Sequence, residues 1–384
     1  EVVGRRFNLA AGIYLLGIIS PTLWIAWVES FVMVVNTSFQ QMFKKAEPDL
    51  VIQKTKVRIF QRKGANNHFS LERVYSEIID NAPEDIEFDV YTVSFDSRGL
   101  LNRFLICIEV AINSCNINHI AGDITFSCLF LRRRGLVISI PDCVMLERLS
   151  GVKRLVYWLF WLKIPMIKAQ YITTLSDFSK SQLAKVLNRR CKEMVTIPVP
   201  PAAIFRQSAR HEINNNSTFT ILIIGTAWNK NLERIFCAVS SLRVRIKLVG
   251  IMTDEAASLA KLHKVNLKVY TAIDDRKLVD VYQASDVLLF PSLYEGFGMP
   301  LLEAQALGVP VITSSLPPMS EVAGMGAYLV DPYDIDDIRK SIIELSSNQS
   351  RREELIKAGY KNLKMFEERS IYSKYYDIYR GMAK

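Results

Sequence analysis

The sequence predicts an α/β protein made of two doubly wound parallel-sheet domains in series. Three observations point there. From residue 56 onward, short β-branched runs alternate with amphipathic stretches of helical length; the alternation breaks at a proline-rich and then polar stretch; and it restarts beyond it with the same pattern. A chain of 384 residues, 49% of them apolar, is long enough to fill two such cores.

In the first half, VRIF (57–60), FDVYTVSF (88–95), INHIAG (117–122), LVISI (136–140) and YITTLS (171–176) read as buried strands. Between the first two, SLERVYSEIIDNA (70–82) repeats Leu71, Val74, Tyr75 and Ile78 at spacings of three and four, which is a helix pattern. IPVPPAAIF (197–205) and the polar RQSARHEINNNST (206–218) read as the connection between domains. The second set of strands is FTILIIG (219–225), IKLVG (246–250), LKVY (267–270), DVLLFPS (286–292), VPVITS (309–314) and AYLV (327–330). The last stretch, SIYSKYYDIYRGMAK (370–384), reads as a helix.

The N-terminus is of another kind. Residues 7–28 carry no charge over roughly 22 positions, enough for a helix to cross a ~30 Å hydrocarbon layer. Pro21 interrupts that run and Glu29 follows it, while Arg5 and Arg6 before and Lys44 and Lys45 after leave an orientation undecided. The chain also opens on Glu. Three readings of residues 1–50 stay open: a membrane-associating segment, a core helix, or the product of a mis-started reading frame.

The net charge of +9 suits anionic partners, whether nucleotide phosphates, acidic lipid headgroups or nucleic acid, and does not choose among them. Cys107, Cys115, Cys128, Cys143, Cys191 and Cys237 are scattered without a CxxC pair, and the four histidines form no HxxxH or HExxH pattern. That argues against a zinc site and for a reducing, cytoplasmic compartment.

Doubly wound sheets bind ligands at the carboxyl ends of their strands. LYEGFG (293–298) lies there, between the strand DVLLFPS and the helix MPLLEAQALG, with Pro300 suited to a first helical turn and Gly308 to a stop. Gly296 and Gly298 permit close backbone approach, and the free N–H groups of the helix start favour anions. Glu295 and Glu303 flank the loop as two carboxylate acceptors, suited to a ligand with phosphates and many hydroxyls; taken alone, the pair reads sooner as two solvated glutamates around a turn.

The segment PSLYEGFGMPLLEAQALGVPVITSS (291–315) resembles the Glu-x7-Glu signature of the retaining GT-B glycosyltransferases, the group 1 or family 4 type. The resemblance continues through MSEVAGMGAYLVDP (319–332) and more weakly back to residue 56, roughly 85% of the chain. It implies two Rossmann-like domains facing across a cleft: an acceptor-side domain at 55–200, a nucleotide-sugar domain at 215–366, and a helix at 368–384 packing back on the first. It implies retaining transfer of a hexose-type sugar from a UDP- or GDP-linked donor to the hydroxyl of a saccharide or lipid-linked saccharide, in cell-surface polysaccharide or glycolipid assembly. The positive charge, Arg132 to Arg134 and the apolar N-terminus fit a membrane surface such as the cytoplasmic face of the inner membrane, with an ordinary solvated helix end as the competing reading of the arginines; nucleic acid, a cofactor and a metal are not expected.

By the same resemblance Glu295 bonds the donor sugar's hydroxyls, Glu303 holds the ribose, and the backbone of Gly296, Phe297, Gly298 and Met299, with Pro300 and Leu301 behind it, lines the pocket. GTAWNKN (225–231) resembles the family's glycine-to-lysine loop, placing Gly225, Thr226, Lys230 and Asn231 at the donor, with Lys230 meeting the departing diphosphate. A preplaced cation is most stabilising where charge develops on the leaving oxygen. Relatives usually carry an arginine where Thr226 stands. They also have His-Asp where this chain has Pro141 and Asp142, so Asp142 becomes the catalytic candidate there and a weak or silent enzyme is the alternative. A sugar-nucleotide epimerase or phosphorylase is a further one. On the acceptor side stand Arg62, Lys63 and Gly64 after the first strand, and His119 and Asp123 after the third; surface charges, a structural histidine and a helix cap remain the competing readings. Ser176 and Ser179 read first as helix caps and second as ligand contacts, and Asp334 and Asp336 as capping residues rather than a metal motif.

Overall fold

The computed structural model describes residues 54–63, 70–187, 194–208 and 218–383. Residues 1–53, with the apolar N-terminal segment, lie outside the described residues, as does Gly64.

The chain alternates as its hydrophobic pattern requires. β1 (Thr55–Gln61), α1 (Ser70–Asp80), β2 (Ile86–Thr92), α2 (Leu100–Ile112) and β3 (Ile117–Ile120) lead to a 3₁₀ segment, Thr125–Phe130, and β4 (Leu136–Ser139). Then come α3 (Val144–Arg148), α4 (Gly151–Tyr157), a π-helical stretch Trp158–Lys163, α5 (Ile164–Lys168), β5 (Tyr171–Thr174), α6 (Asp177–Leu187) and β6 (Met194–Thr196). α7 (Ala203–Gln207) belongs to the connection.

The second set runs β7 (Phe219–Ile224), α8 (Leu232–Val239), β8 (Val244–Val249), α9 (Asp254–Leu262), β9 (Leu267–Tyr270), α10 (Asp275–Gln283), β10 (Val287–Phe290), α11 (Met299–Ala306) and β11 (Val311–Ser314). It ends with α12 (Met319–Ala323), β12 (Tyr328–Val330), α13 (Ile335–Ser347), α14 (Gln349–Leu363) and α15 (Glu368–Ala383).

The strands form two six-stranded sheets, in the orders β2-β1-β3-β4-β5-β6 and β12-β11-β10-β7-β8-β9. Every pairing is parallel, for instance Ile59 opposite His119 and Val287 opposite Ile221. β10, β11, β4 and β3 are buried along their whole length, as central parallel strands are; β10 is wholly apolar, while β3 buries Asn118 and His119, β4 Ser139 and β11 Thr313 and Ser314. In each sheet the order reverses once, between β1 and β3 and between β7 and β10. Crevices form at such reversals, outside the carboxyl ends of the strands.

α15 lies against β1 and β3. Its Tyr372, Tyr375, Tyr376 and Tyr379 recur at three and four residues and are all buried. Their hydroxyls find partners, as buried phenols must: Tyr372 donates to Glu77 Oε2 at 2.7 Å and Tyr376 to the Ile78 carbonyl at 2.7 Å. Arg380 closes the helix end with a two-pronged pair to Asp85 at 2.7 and 2.8 Å.

Candidate active site

The crevice between β7 and β10 is bordered by the two loops singled out in the sequence. After β7 the chain turns at Gly225, where φ is +91° and a Cβ would stand 2.8 Å from Lys230 Cε. The positive φ favours glycine there, and its bare Cα leaves room for the lysine side chain to pass close by. Lys230 closes a short 3₁₀ turn, Trp228–Lys230, and Asn231 follows in the left-handed region at φ 61° as the cap of α8.

Lys230 Nζ lies 2.6 Å from Glu295 Oε1 and 4.3 Å from the centre of the Phe290 ring at the end of β10. Both charged side chains are mostly buried, 16% and 15% exposed, so neither is a solvated surface charge. Asn229 ties the loops together: its Nδ2 donates to Glu295 Oε1 at 3.2 Å and to the Tyr294 carbonyl at 2.8 Å, and its carbonyl accepts from Leu293 N at 2.8 Å.

Gly298 caps α11 at φ +107°, in a conformation that an L side chain rarely adopts. Its carbonyl accepts from Leu301 N at 3.0 Å. Pro300 stands in the first turn. Phe297 turns its ring inward onto Phe366, centroids 6.1 Å apart, and Leu301 is fully buried, so both offer a ligand only backbone. Met299 and Pro300 are half-buried at the helix start.

Glu303 is buried, and its Oε2 accepts from the Tyr282 hydroxyl of α10 at 2.7 Å. Burial holds the Tyr282 phenol well above its usual range, with the Glu303 charge adding to the shift, so Tyr282 is a donor throughout the physiological range.

Asp142 follows β4 and comes to this loop from the first sheet. A Cβ on Gly296 would meet Asp142 Oδ2 at 2.7 Å, so the carboxylate sits directly on the Gly296 backbone. Burial raises the Asp142 pKa; a hydrogen bond from Val144 N at 2.9 Å opposes that, and the Glu295 charge reinforces it. The serines after β5 reach the same glycine. Ser176 Oγ accepts from Ser179 N at 3.1 Å, the expected cap, and Ser179 Oγ also donates to the Gly296 carbonyl at 3.1 Å. Sequence reasoning found the cap and missed the second role.

Of the residues singled out in the sequence, Glu295, Lys230 and Asp142 thus gather around Gly296. Two donor-side candidates have side chains already committed elsewhere. Asn231 spends its amide hydrogens on the Pro291 and Pro332 carbonyls, at 3.1 and 2.6 Å, and Thr226 donates to the Ile251 carbonyl at 2.7 Å. They hold loop ends in place.

On the acceptor side, Arg62 and Asp123 approach to 3.7 Å at the β1–β3 reversal, and Lys63 is exposed. His119 is corrected: it is wholly buried, its Nδ1 paired with the Tyr379 hydroxyl at 2.7 Å and its Nε2 with Ser139 Oγ at 2.8 Å. It braces α15, and burial depresses its pKa to about 3.

Asp334 accepts from Asp336 N and Asp337 N at 2.8 and 3.2 Å and caps α13. Among the described residues no three His, Cys, Asp or Glu side chains cluster as metal ligands. A cavity of about 450 Å³ opens away from these loops, between Pro201, Arg206, Tyr360, Phe366 and Glu368, where the chain crosses between the sheets.

Residues 204–362 match the family described as Glycosyl transferases group 1. The O-antigen chain mannosyltransferase B of Escherichia coli is 30% identical over 219 residues, 52% of this chain and 57% of that protein. The O-antigen chain mannosyltransferase RfbU of Salmonella typhimurium is 29% identical over 189 residues, 47% of this chain and 52% of the relative. The chain thus spans little more than half the length of these curated relatives. Among solved structures, Anabaena Alr3699/HepE in complex with UDP-glucose superposes with a TM-score of 0.69 at 12% identity, over 85% of this chain and 99% of that one. That likeness extends to the fold alone. The chain therefore has the GT-B fold, and its residues 204–362 are similar to the Glycosyl transferases group 1 family.

Proposed function

We propose that this chain transfers a hexose, with retention, from a nucleotide diphosphate donor to a hydroxyl of a saccharide or lipid-linked saccharide, in the cytoplasm at the inner face of the membrane. The observation that carries the reading is the Lys230–Glu295 pair at 2.6 Å, set at the β7–β10 reversal beside the start of α11. A diphosphate competes for the ammonium and sugar hydroxyls compete for the carboxylate. One ligand with both groups replaces the pair's mutual neutralisation without leaving either charge unmet.

In the reaction the bond from the anomeric carbon to the diphosphate oxygen breaks, and its electron pair leaves with the diphosphate. Lys230 and the N–H groups at the α11 start meet the developing charge, where preorganised donors are most effective. The acceptor oxygen bonds the same face of the sugar, and its proton passes to the departing phosphate. Glu295 fixes the sugar through its hydroxyls, and Glu303, oriented by Tyr282, takes the ribose. Asp142 bounds the sugar from the first sheet in place of an imidazole. Mannose is the first donor sugar to try, because the relatives' names describe mannosyltransferases.

Incubating the full chain with UDP- and GDP-linked hexoses and oligosaccharide acceptors tests this. Acceptor-dependent nucleotide release, with the product's anomeric configuration matching the donor's by NMR, is the expected result. Binding of a nucleotide sugar with no release for any acceptor would instead favour a silent homologue, the reading that Pro141 in place of an imidazole supports.

A further inference from the structure

The carbonyl of Gly296 receives two hydroxyls from the turn between β5 and α6. Ser176 Oγ and Ser179 Oγ each lie 3.1 Å from it, and 3.0 Å from one another. Both serines are buried, 5% and 1% exposed, so their hydroxyls face protein and not a ligand entering the crevice. Each hydroxyl has one proton to give. That of Ser179 goes to the carbonyl, and that of Ser176 is shared between the carbonyl and Ser179 Oγ. Between the two serines, the ring of Phe178 meets Tyr294 edge-on with centroids 6.1 Å apart, so the whole turn is seated on the loop that carries Glu295.

Capping does not account for this arrangement. A cap needs the Ser176 oxygen and the Ser179 amide, which lie 3.1 Å apart. The Ser179 hydroxyl adds nothing to it and is spent on a carbonyl 117 residues away.

The consequence falls on the other side of the peptide. Gly296 C=O and Phe297 N–H belong to one planar trans unit, in which the two bonds point in opposite directions. Serines that hold the carbonyl on the α6 side therefore turn the Phe297 N–H away from α6. Phe297 is 4% exposed, yet among the described residues no acceptor meets its N–H. A buried N–H without a partner is rare, and beside Lys230 and Glu295 the acceptor it lacks is one that a ligand would bring. Glycines at 296 and 298 give this peptide little resistance to rotation. Released by the serines, its carbonyl could turn inward and set a second acceptor against the ligand's oxygens.

We propose that Ser176 and Ser179 are positioning residues: they fix the Gly296–Phe297 peptide so that its N–H donates to an oxygen of the nucleotide sugar. The identity of that ligand rests on the function proposed above; the orientation of the peptide does not.

Gly296–Phe297 is the single Gly-Phe pair in the sequence. The full chain, isotope-labelled at glycine carbonyl carbons and phenylalanine nitrogens, therefore gives one carbonyl–amide correlation peak by NMR, which reports this peptide alone. In the Ser176→Ala/Ser179→Ala variant the carbonyl signal is expected to move upfield, as loss of its hydrogen bonds requires. Ser179→Ala, which keeps the cap, is expected to move it part of the way. UDP-glucose or GDP-mannose is expected to shift the parent's amide proton downfield and the double variant's far less, and the variant's transfer rate to fall about 10- to 100-fold. A purely structural role would lower the melting temperature and leave the ligand-induced amide shift intact. A carbonyl signal unmoved by the double substitution, no amide shift in the parent, or equal shifts in parent and variant would each overturn the proposal. A parent that shows the shift but transfers sugar to no acceptor defeats the transferase reading and leaves this one standing; a parent that transfers sugar without the shift defeats this one alone.

Discussion

Lys230 packs over Gly225, where a Cβ would stand 2.8 Å from its Cε, and its amine lies 2.6 Å from Glu295. Motif resemblance made both residues legible in the sequence. Asn229 and Phe290, which fix the pair from beside and beneath, were not: an amide in a loop and an aromatic at a strand end carry no spacing signal, and only the fold brings them together. Tyr282, which holds Glu303 from another helix, was equally hidden. His119 is a case where burial decides between two readings of the sequence, an acceptor-side group and a structural histidine, in favour of the second. It stays neutral in the folded state because burial depresses its pKa to about 3, against about 6.5 when unfolded. Below the unfolded value the unfolded chain binds a proton that the folded one refuses, so the stability His119 contributes is present above pH 6.5 and is lost as pH falls. The slope from this one group is about 1.4 kcal/mol per pH unit between pH 6 and 4. Urea denaturation of His119→Gln is expected to lack that increment of acid sensitivity; an unchanged difference between pH 6 and 4 would contradict the assignment.

At the scale of the element, the α11 start depends on a cap that no other residue type fits. Gly298 sits at φ +107° with Leu301 Cδ1 3.0 Å from the position of a Cβ. Gly298→Ala is expected to cost about 1–2 kcal/mol of stability and to weaken nucleotide binding by displacing the helix start; denaturant midpoints and calorimetry check both. Most elements were legible beforehand because each buried strand is a short β-branched run between turn residues. β6 was not. Met194–Thr196 is three residues long at a sheet edge, followed by the prolines of the connection, and gives too little pattern to distinguish a strand from a linker. The terminal helix was legible as a helix, but that its tyrosines close a buried hydroxyl network with His119, Ser139 and Tyr75 depends on contacts more than 200 residues apart in the chain.

The whole molecule brings two sheets together at one glycine. Ser179 and Asp142 from the first reach Gly296 of the second, while Arg206 in the connection pairs with Glu77 and Glu368 where the chain crosses back. The donor loops therefore do not stand alone; the opposite half closes against the backbone that would hold the sugar. The most direct test of the central claim is calorimetric titration of the full chain and its Lys230→Met variant with UDP and GDP. The parent is expected to bind one nucleoside diphosphate and the variant to bind it roughly 10- to 100-fold more weakly, the loss of one charge-assisted phosphate contact. No binding of either nucleotide by the parent, or equal affinity in the variant, would contradict it.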